Sequence, residues 1–157
     1  MPEVRVRRAG EGDVPEVVGL SAALFREDAG QRDPSMNLDW PAEEGRGYFA
    51  GLIGDDRCLC VVAERDGEAV GYLAGRLRDA DTLRPVGVAE LESMYVREGS
   101  RDSGVGARLV EEFLGWARER GAERASVTAY AANERAIRFY ERLGFAARSL
   151  SLERKIG

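Results

Sequence analysis

The sequence contains no histidine, and this absence removes two common kinds of catalytic site. With none among 157 residues, the Ser-His-Asp and Cys-His arrangements that activate a nucleophile cannot be built. Cys58 and Cys60 are the only cysteines, and two thiols without histidine do not form the usual zinc site. Their spacing in a predicted strand indicates core packing, so we expect no bound metal. Proton transfer must use carboxylates, tyrosine, lysine, water or backbone groups.

Long apolar runs and an excess of positive charge are also missing. No apolar stretch approaches the roughly 20 residues that a membrane span requires, and the first residues, MPEVRVRRAGEGD, lack the apolar core of a signal peptide. The formal net charge is −5, whereas nucleic-acid binding needs concentrated lysine and arginine. We therefore expect a cytoplasmic protein with no membrane or nucleic-acid partner. A cationic partner fits the acidic balance better.

The patterning that is present predicts one domain of mixed helices and strands. A chain of 157 residues is the size of one ordinary domain. Period-two alternation predicts strands over 4–8, 89–96 and 124–130, a hairpin over 57–79 that turns at Asp66-Gly67, and one or two strands over 146–156. Helical periodicity predicts helices over 13–27, 42–53, 104–120 and from Asn133 to Gly144. The order of these elements indicates an α+β fold.

The stretch VREGSRDSGVGARLVEEF, residues 96–113, leads from a predicted strand into the clearest helix of the chain. Backbone N–H groups and the positive end of the helix converge there on a point that suits a phosphate. Gly104 and Gly106 leave room for close approach of the backbone, and Arg97 and Arg101 can add charge-assisted contacts. A purely structural turn is the alternative interpretation of the same glycines.

Two better-known phosphate motifs do not match this stretch. Val105 stands where a P-loop requires lysine, and Leu109 stands where the dinucleotide fingerprint requires a third glycine. The interpretation as an anion site therefore depends on the neighbouring elements. In order, these are the strand ELESMYV, Arg101-x-x-Gly104-x-Gly106, an amphipathic helix, a strand, and AANERAIRFYERLGF.

This ordered set strongly resembles the GCN5-related N-acetyltransferase (GNAT) superfamily. The resemblance covers essentially the whole chain in element order and is most specific from Glu90 to Phe145. It implies a three-layer α+β fold whose mixed, mostly antiparallel central sheet carries helices on both faces. It also implies that residues 1–157 form a single N-acetyltransferase domain that uses acetyl-CoA and no metal.

By the same resemblance, the loop from Arg101 to Gly106 looks like the cradle for the acetyl-CoA pyrophosphate. The main chain at Met94 and Val96 resembles the segment that holds the pantetheine arm and polarises the thioester carbonyl. Asn133 matches a residue that binds the arm, and Tyr140 one that stands near the thioester sulfur. The expected cofactor contacts are Met94, Tyr95, Val96, Arg101, Asp102, Ser103, Gly104, Val105, Gly106, Asn133 and Tyr140.

One departure from the family pattern is Asp102-Ser103, where members often carry glycine and a basic or small residue. An aspartate close to a pyrophosphate is unfavourable unless it points away or caps the helix. Asp102 and Ser103 are both candidate helix caps.

Acetyl transfer to an amine needs a base, because an alkyl amine with a pKa of about 10.4 is mostly protonated at neutral pH. In a regular strand Glu90, Glu92, Met94 and Val96 lie on one face. Either glutamate can then take the proton directly or through water, and the resemblance points to this strand without choosing between them. Tyr140 can donate to the departing CoA thiolate, and no covalent enzyme intermediate is needed.

Each of these residues also has a structural interpretation. Glu90 and Glu92 can be solvated strand residues, Tyr140 can be a packing residue of a helical stripe, and Asn133 can be an ordinary helix N-cap. If these residues take no part in catalysis, the chain is a non-catalytic acetyl-CoA-binding sensor or interaction domain. The presence of both a candidate base and the tyrosine favours the enzyme.

The sequence says less about the amine that accepts the acetyl group than about the donor, acetyl-CoA. The acidic loop from Glu27 to Trp40 and the loop over 79–89 lie where substrates are met in this family, and the acidic side chains favour a small cationic amine such as a polyamine or an aminoglycoside-like compound. A lysine side chain or a peptide N-terminus stays open, which would make the protein a protein or peptide N-acetyltransferase. The alternating C-terminal SLSLERKI can pair with a second subunit or complete the sheet of a monomer, so a homodimer is possible.

Overall fold

The computed structural model describes residues 3–157, and within them it contains five strands and five α-helices. The strands are β1 (Arg5–Arg8), β2 (Cys58–Arg65), β3 (Glu68–Arg78), β4 (Val88–Val96) and β5 (Arg124–Val127). The helices are α1 (Val14–Glu27), α2 (Ala29–Arg32), α3 (Trp40–Ile53), α4 (Val105–Glu119) and α5 (Glu134–Arg142). The sequence predicted each of these elements to within a few residues except α2, a single turn inside the predicted acidic loop.

The strands form one sheet in the order β1-β2-β3-β4-β5. All neighbouring pairs are antiparallel except β4 and β5, which are parallel because α4 crosses over between them. The β2–β3 turn uses Asp66 and Gly67, both at positive φ, as the Asp-Gly signal predicted. The predicted mixed, mostly antiparallel sheet is confirmed.

Helices cover both faces of this sheet and divide the core in two. On one face α1 and α3 pack on the sheet around Val17, Phe49 and Tyr72. On the other face α4 packs around Leu73 and Phe113, and the partly buried apolar residues of α5 extend this second core. Within residues 3–157, none of the helices combines the length and the apolar character needed to cross a membrane.

A bulge in β4 changes which of its side chains share a face. Ser93 pairs with Ala74 of β3, but the next pair joins Leu91 to Gly75, so Glu92 has no partner in the register. The extra residue shifts the alternation of the strand by one position. Met94 consequently packs on the α4 core together with Leu91, while Glu92 faces α3 on the opposite side.

The prediction that Glu90 and Glu92 share a face with Met94 and Val96 is therefore wrong. Strict alternation holds only where every residue of a strand has one partner, and the bulge breaks that condition between Leu91 and Ser93. The two glutamates and the two apolar residues are separated onto opposite faces of the sheet.

The parallel pair β4 and β5 separates halfway along β4. Pairing runs from Val88 with Arg124 to Leu91 with Val127 and ends there. The predicted extension of β5 to Tyr130 is wrong, because residues 128–130 are not in a strand. Beyond Leu91, the edge of β4 that faces β5 has no strand partner in the described chain, which leaves an opening between the two strands.

The predicted strand or strands over 146–156 are absent from the structure. Residues 146–157 carry no regular secondary structure and all are exposed. Alternation of apolar and polar residues is compatible with a strand, but the backbone N–H and C=O groups of a strand also need a hydrogen-bonding partner. Within the described single chain this segment has none.

The packing around the bulge also leaves no room for a side chain at Gly75. A Cβ built there would lie 2.8 Å from Cε1 of Phe113 and 3.1 Å from the carbonyl oxygen of Glu90. We expect Gly75→Ala to lower the free energy of unfolding by about 1–3 kcal/mol, since the fully buried Phe113 ring must move. Urea denaturation followed by circular dichroism measures this change.

Gly115 in α4 supplies the matched control for that experiment. A Cβ at Gly115 meets nothing within 4 Å, so Gly115→Ala is expected to raise the free energy of unfolding by about 0.5–1 kcal/mol, through helix propensity. Equal stabilities for the two alanine variants would contradict the packing assigned to the bulge.

Candidate active site

The opening between β4 and β5 is a cleft of about 590 Å³, called here the β4–β5 cleft. Its walls come from β4, the start of α4, α5 and the end of α1. Of the residues predicted to contact the cofactor, those that line it are Met94, Tyr95, Val96, Arg101, Asp102, Gly104, Gly106, Asn133 and Tyr140. The fold thus brings two distant sequence segments, 94–106 and 133–140, to the two sides of one cleft.

The start of α4 forms one end of the cleft. Gly104 precedes the helix with φ at +85°, and no side chain caps this end. Within residues 3–157, the N–H groups of Val105, Gly106 and Ala107 have no hydrogen-bond acceptor. Unsatisfied N–H groups and the positive end of the helix dipole favour an anion here. A Cβ at Gly104 meets nothing within 4 Å, so the space beside these donors is open.

Three residues of the predicted cradle have structural roles. Ser103 donates its hydroxyl to the carbonyl oxygen of Ser100 at 2.6 Å, and Val105 is buried in the core. Neither of these two lines the cleft. At Gly106 an added Cβ would lie 3.1 Å from the Phe139 ring, so this glycine allows α5 to pack closely on α4. Close approach of a ligand is therefore not the only reason for glycine at position 106.

Asp102 pairs its charge with a cation of α5. It adopts a left-handed conformation with φ at +62°, and its carboxylate lies 3.3 Å from the guanidinium of Arg135. The side chain is 87% exposed. Asp102 lines the cleft but pairs its charge with Arg135 of α5, which offsets the conflict expected from the sequence. Arg135 lines the cleft and was missed by sequence reasoning, because nothing local links it to Asp102.

Arg101 is held in place by contacts within the protein. Its Nε donates to the carbonyl oxygen of Val96 at 2.8 Å, and a terminal nitrogen lies 2.7 Å from Oε1 of Glu27. The guanidinium also lies over the Tyr95 ring, 5.3 Å from its centre. Arg97, the second predicted cation, instead donates to the carbonyl oxygen of Ala69 at 3.3 Å and does not line the cleft.

Glu27 connects the end of α1 to this arginine. Burial by itself raises the pKa of Glu27, but hydrogen bonds from Tyr95 and Arg101 outweigh it and leave the pKa below the usual value. Tyr95 donates its hydroxyl to the same carboxylate. The carboxylate therefore stays ionised at neutral pH and orders Arg101 beside the cleft.

Asn133 joins α5 to the end of α1. Its Oδ1 accepts a hydrogen bond from the N–H of Ala136 at 3.1 Å, which makes it the N-cap of α5. Its Nδ2 donates to Asp28 at 3.2 Å. The predicted N-cap is confirmed, and Asn133 lines the cleft at the same time.

Tyr140 lies half-buried in the cleft wall between two aromatic rings. The centres of the Phe139 and Phe145 rings are 5.1 and 5.7 Å from its own. Burial and the negative charge of Asp28 raise the pKa of Tyr140 to about 12. No group in residues 3–157 hydrogen-bonds to its hydroxyl at the distances of a normal bond. The hydroxyl therefore keeps its proton at neutral pH and remains available as a donor.

The structure separates the two candidate bases. Glu92 lines the cleft and accepts hydrogen bonds from the Tyr48 hydroxyl and the Arg76 guanidinium. Glu90 forms an ion pair with Arg78 at 2.7 Å and does not line the cleft. Tyr48 and Arg76 were missed by sequence reasoning, because each belongs to an element that meets β4 only in the folded chain.

The acidic segment from Glu27 to Trp40 is mostly engaged within the protein. Asp28 forms an ion pair with Arg32 at 3.1 Å, and Asp33 accepts from Ser35 at 2.5 Å and from Tyr130 at 3.2 Å. These acids tie the segment to itself and to the chain after β5. Because these carboxylates are engaged within the protein, they support a cationic acceptor less strongly than the count of acidic residues in the sequence indicated.

Comparisons with known proteins agree with this architecture. Residues 22–145 match the family described as Acetyltransferase (GNAT) family. An uncharacterized N-acetyltransferase of Archaeoglobus fulgidus is 31% identical over 137 residues, which are 87% of this chain and 89% of that relative. The chain spans less than half of two further relatives, 44% and 45% of their lengths.

Solved structures share the fold along the whole chain. A transcriptional regulator from Bacillus halodurans C-125 is 27% identical, with a TM-score of 0.80 over 98% of this chain and 100% of that one. An aminoglycoside N-acetyltransferase in complex with CoA is 19% identical, with a TM-score of 0.76 over 99% of this chain and 96% of that one. The predicted fold class and the prediction of an N-acetyltransferase enzyme are confirmed at the level of the family. The chain belongs to the acetyltransferase (GNAT) family.

Proposed function

We propose that this protein transfers an acetyl group from acetyl-CoA to the primary amine of a small molecule, by direct attack of the amine on the thioester. The observation that carries the proposal is the β4–β5 cleft. It has unsatisfied N–H donors at the start of α4 and lies between Glu92 of β4 and Tyr140 of α5. The family and the solved neighbour that holds CoA support the same conclusion.

The described residues fit CoA at the end of the cleft formed by α4. The free N–H groups of Val105, Gly106 and Ala107 can bind the oxygens of a pyrophosphate. Arg135 lines the same region, and its ion pair with Asp102 offsets the negative charge of that aspartate. Arg101 acts indirectly, because its bonds to Val96 and Glu27 fix the loop that leads to the helix.

The middle of the cleft can hold an extended ligand arm against β4. The edge of β4 beyond Leu91 has no strand partner there, so its backbone groups can bond to an amide-containing arm, as they would to a neighbouring strand. Asn133 offers an amide side chain from the opposite wall. The bulge at Glu92 turns Met94 and Glu92 to opposite faces of the sheet, which separates the packed side of β4 from the side that carries the base.

Acetyl-CoA supplies an activated acyl group whose carbonyl carbon is open to attack by an amine. Tyr140 donates a hydrogen bond or a proton to the sulfur as the thiolate leaves, since its hydroxyl has a pKa of about 12 and has no partner within the described protein. The hydroxyl then regains its proton from solvent. No residue forms a covalent bond to the acetyl group.

Glu92 is the proposed base on the acceptor side. Tyr48 and Arg76 both hold its carboxylate, so the side chain has a fixed position at the cleft. Burial and the neighbouring Glu92 raise the pKa of Tyr48, which keeps its hydroxyl a donor to the carboxylate at neutral pH. Glu92 takes the amine proton directly or through a water molecule.

A small amine is the proposed acceptor class. The solved aminoglycoside N-acetyltransferase shares the fold, and Glu92 places a carboxylate on the cleft. Peptide acetylation is the competing activity. A non-catalytic binding role is the other alternative, and one structural neighbour is described as a transcriptional regulator.

Release of CoA thiol from acetyl-CoA tests the proposal directly. The reaction is run against a panel of polyamines, aminoglycosides, amino acids and basic peptides. Turnover with a free amine supports the proposed function, and turnover with peptides alone makes the protein a peptide acetyltransferase. Binding of CoA in a calorimetric titration without turnover on any acceptor in the panel would favour the non-catalytic role.

The two glutamates of β4 provide a matched pair of variants. We expect Glu92→Gln to lower kcat/KM about tenfold or more at neutral pH, because a general base is removed. Glu90→Gln should stay within about twofold, because Glu90 does not line the cleft and pairs with an exposed arginine. Equal losses of kcat/KM in the two variants would show that the negative charge of β4 matters but that neither glutamate is a specific base.

A further inference from the structure

A second cavity lies between α4 and the edge strand β1, and we call it the α4–β1 groove. It has a volume of about 340 Å³, a size that suits a small molecule. None of the residues that line it also lines the β4–β5 cleft. The groove is therefore separate from the proposed site of acetyl transfer.

The groove has an apolar floor and charged walls. Val6 of β1 and Leu59 of β2 are the apolar residues that the sheet contributes. The charged side chains that line the groove are Arg8, Arg108, Glu111, Glu112 and Glu119. Within residues 3–157, none of these five side chains forms an ion pair. The groove thus presents charges of both signs that the rest of the described chain leaves unpaired.

Trp116 of α4 also lines the groove, and it is 4% exposed. Within residues 3–157, its Nε1 is the only buried side-chain nitrogen or oxygen atom without a hydrogen-bond partner. An indole N–H can only donate, and buried donors are nearly always paired because an unpaired donor costs free energy. This N–H therefore indicates that an acceptor from outside the chain belongs in the groove.

The topology brings Arg8 to the half of the groove that holds Trp116. Three antiparallel pairs lead from β1 to β4, and α4 runs back along β4 to reach the parallel strand β5, so β1 and α4 run in the same direction. Arg108, near the start of α4, accordingly donates to the carbonyl oxygen of Val4 before β1. Arg8, at the end of β1, lies farther along the helix, toward Trp116.

Two of the glutamates share a helix face with this tryptophan. Glu112 lies four residues before Trp116 and Glu119 three residues after it, and residues at these spacings are neighbours on a helix surface. A hydrogen-bond donor, a guanidinium and two carboxylates are thus gathered in one half of the groove. This set is complementary to a small molecule that carries an anionic and a cationic group close together.

We propose that the α4–β1 groove binds a free amino acid with a basic side chain, such as lysine. The carboxylate of the amino acid accepts hydrogen bonds from the Trp116 N–H and the Arg8 guanidinium. Its α-ammonium group lies between Glu112 and Glu119, and its side-chain carbons pack on the apolar floor.

The balance of charges in the groove favours the basic side chain. Three carboxylates and two guanidinium groups line it, and the carboxylate and the α-ammonium group of an amino acid cancel each other. A second ammonium group on the ligand offsets the remaining negative charge. A simple diamine lacks the acceptor for Trp116, and a simple carboxylate leaves the glutamates unpaired.

Nuclear magnetic resonance on the isotopically labelled full chain tests this site, because Trp40 and Trp116 are the two tryptophans of the chain. Each gives one indole N–H signal, and Trp40→Phe identifies which is which. Addition of L-lysine is expected to shift the Trp116 signal to higher frequency, since its proton enters a hydrogen bond. No acetyl-CoA is present, so the result does not depend on the proposed acetyl transfer.

Two analogues of lysine test which charges are recognised. Cadaverine lacks the carboxylate of lysine, and ε-aminocaproate lacks its α-ammonium group. We expect each to bind at least about tenfold more weakly than lysine, because a charge-assisted contact is lost. Sodium chloride at the same ionic strength should leave the Trp116 signal unchanged.

Charge-neutralising variants test the residues of the groove. Arg8→Gln and Glu112→Gln should each weaken the binding of lysine at least about tenfold. Arg5→Gln is the matched control, since Arg5 lies on the same strand and does not line the groove. It should change the affinity less than about twofold. All three positions are exposed, so each variant is expected to fold, and its spectrum shows this directly.

The proposal is overturned if the Trp116 signal does not respond to lysine, or responds equally to cadaverine or to sodium chloride. An unchanged affinity in Arg8→Gln and Glu112→Gln also overturns it. Trp40 packs beside Tyr48 on the other face of the sheet. A change confined to the Trp40 signal would place lysine on the acceptor side of the β4–β5 cleft and reject the groove as its site.

Discussion

Replacing Gly104 with aspartate is expected to weaken the binding of CoA about 30-fold, because a carboxylate then faces the phosphates at the start of α4. The N–H groups of Val105 to Ala107 offer the anion its donors, and the space beside Gly104 is open. A negative side chain in that space competes with the phosphates for the same donors. Isothermal titration with CoA measures the change.

Gly104→Asn is the matched control for this substitution. Gly104 has φ at +85°, a conformation that asparagine and aspartate tolerate better than other residues, and Asp102 already adopts it two positions earlier. The two variants have nearly the same shape and backbone cost but differ in charge. CoA binding should fall only about threefold in the asparagine variant, which keeps the helix-end donors. Equal affinities for the wild type and both variants would mean that the phosphates bind elsewhere.

Removal of the Tyr140 hydroxyl is expected to lower kcat about 100-fold, with little change in CoA affinity or stability. In Tyr140→Phe the ring packing with Phe139 and Phe145 is retained. The variant therefore separates the donor role of the hydroxyl from its packing role. Thiol release at saturating acetyl-CoA gives kcat, and thermal denaturation gives the stability.

The pH dependence of the wild type gives a second test of this tyrosine. Because burial and Asp28 raise the pKa of Tyr140 to about 12, the hydroxyl stays protonated through the whole range of an ordinary assay. A loss of activity between pH 8 and 10 should therefore be absent, unless it comes from another group. If such a loss of activity is observed, it should be the same in Tyr140→Phe, because a group other than Tyr140 causes it.

Tyr130→Phe is the control for Tyr140→Phe. The Tyr130 hydroxyl donates to Asp33 at 3.2 Å, and neither of these two residues lines the cleft. We expect its removal to change kcat less than about threefold and to lower stability by about 1 kcal/mol or less. Equal effects of the two substitutions on kcat would assign Tyr140 a packing role only.

Most of the residues that line the cleft on these two segments could be predicted from local patterns, because the contributing segments are short. The glycine loop before α4 and the segment from Asn133 to Tyr140 each carry their signal within a few residues. Their presence on the two sides of one cleft follows from the resemblance and agrees with the placement in the structure. The role of each residue in the reaction stays a prediction.

The partners of these residues could not be predicted in the same way. Arg135 pairs with Asp102, Glu27 with Arg101, and Asp28 with Asn133. Each contact joins residues from separate elements, and no spacing in the sequence expresses it. The doubt about Asp102 arose from this limit, since the pattern shows the charge of a residue but not the direction of its side chain.

By itself the sequence determined the order of the five strands and the four longer helices, the α+β class and the family, because periodicity, turn residues and short motifs are local properties. Only the tertiary structure decided that Glu92 lies at the cleft and Glu90 does not, and that the C-terminal segment has no partner in a single chain. The bulge inserts one unpaired residue and shifts the alternation of the side chains by one position, and no residue type in the sequence marks it. Strand pairing likewise depends on which edge is free, and that is known only when the sheet is assembled.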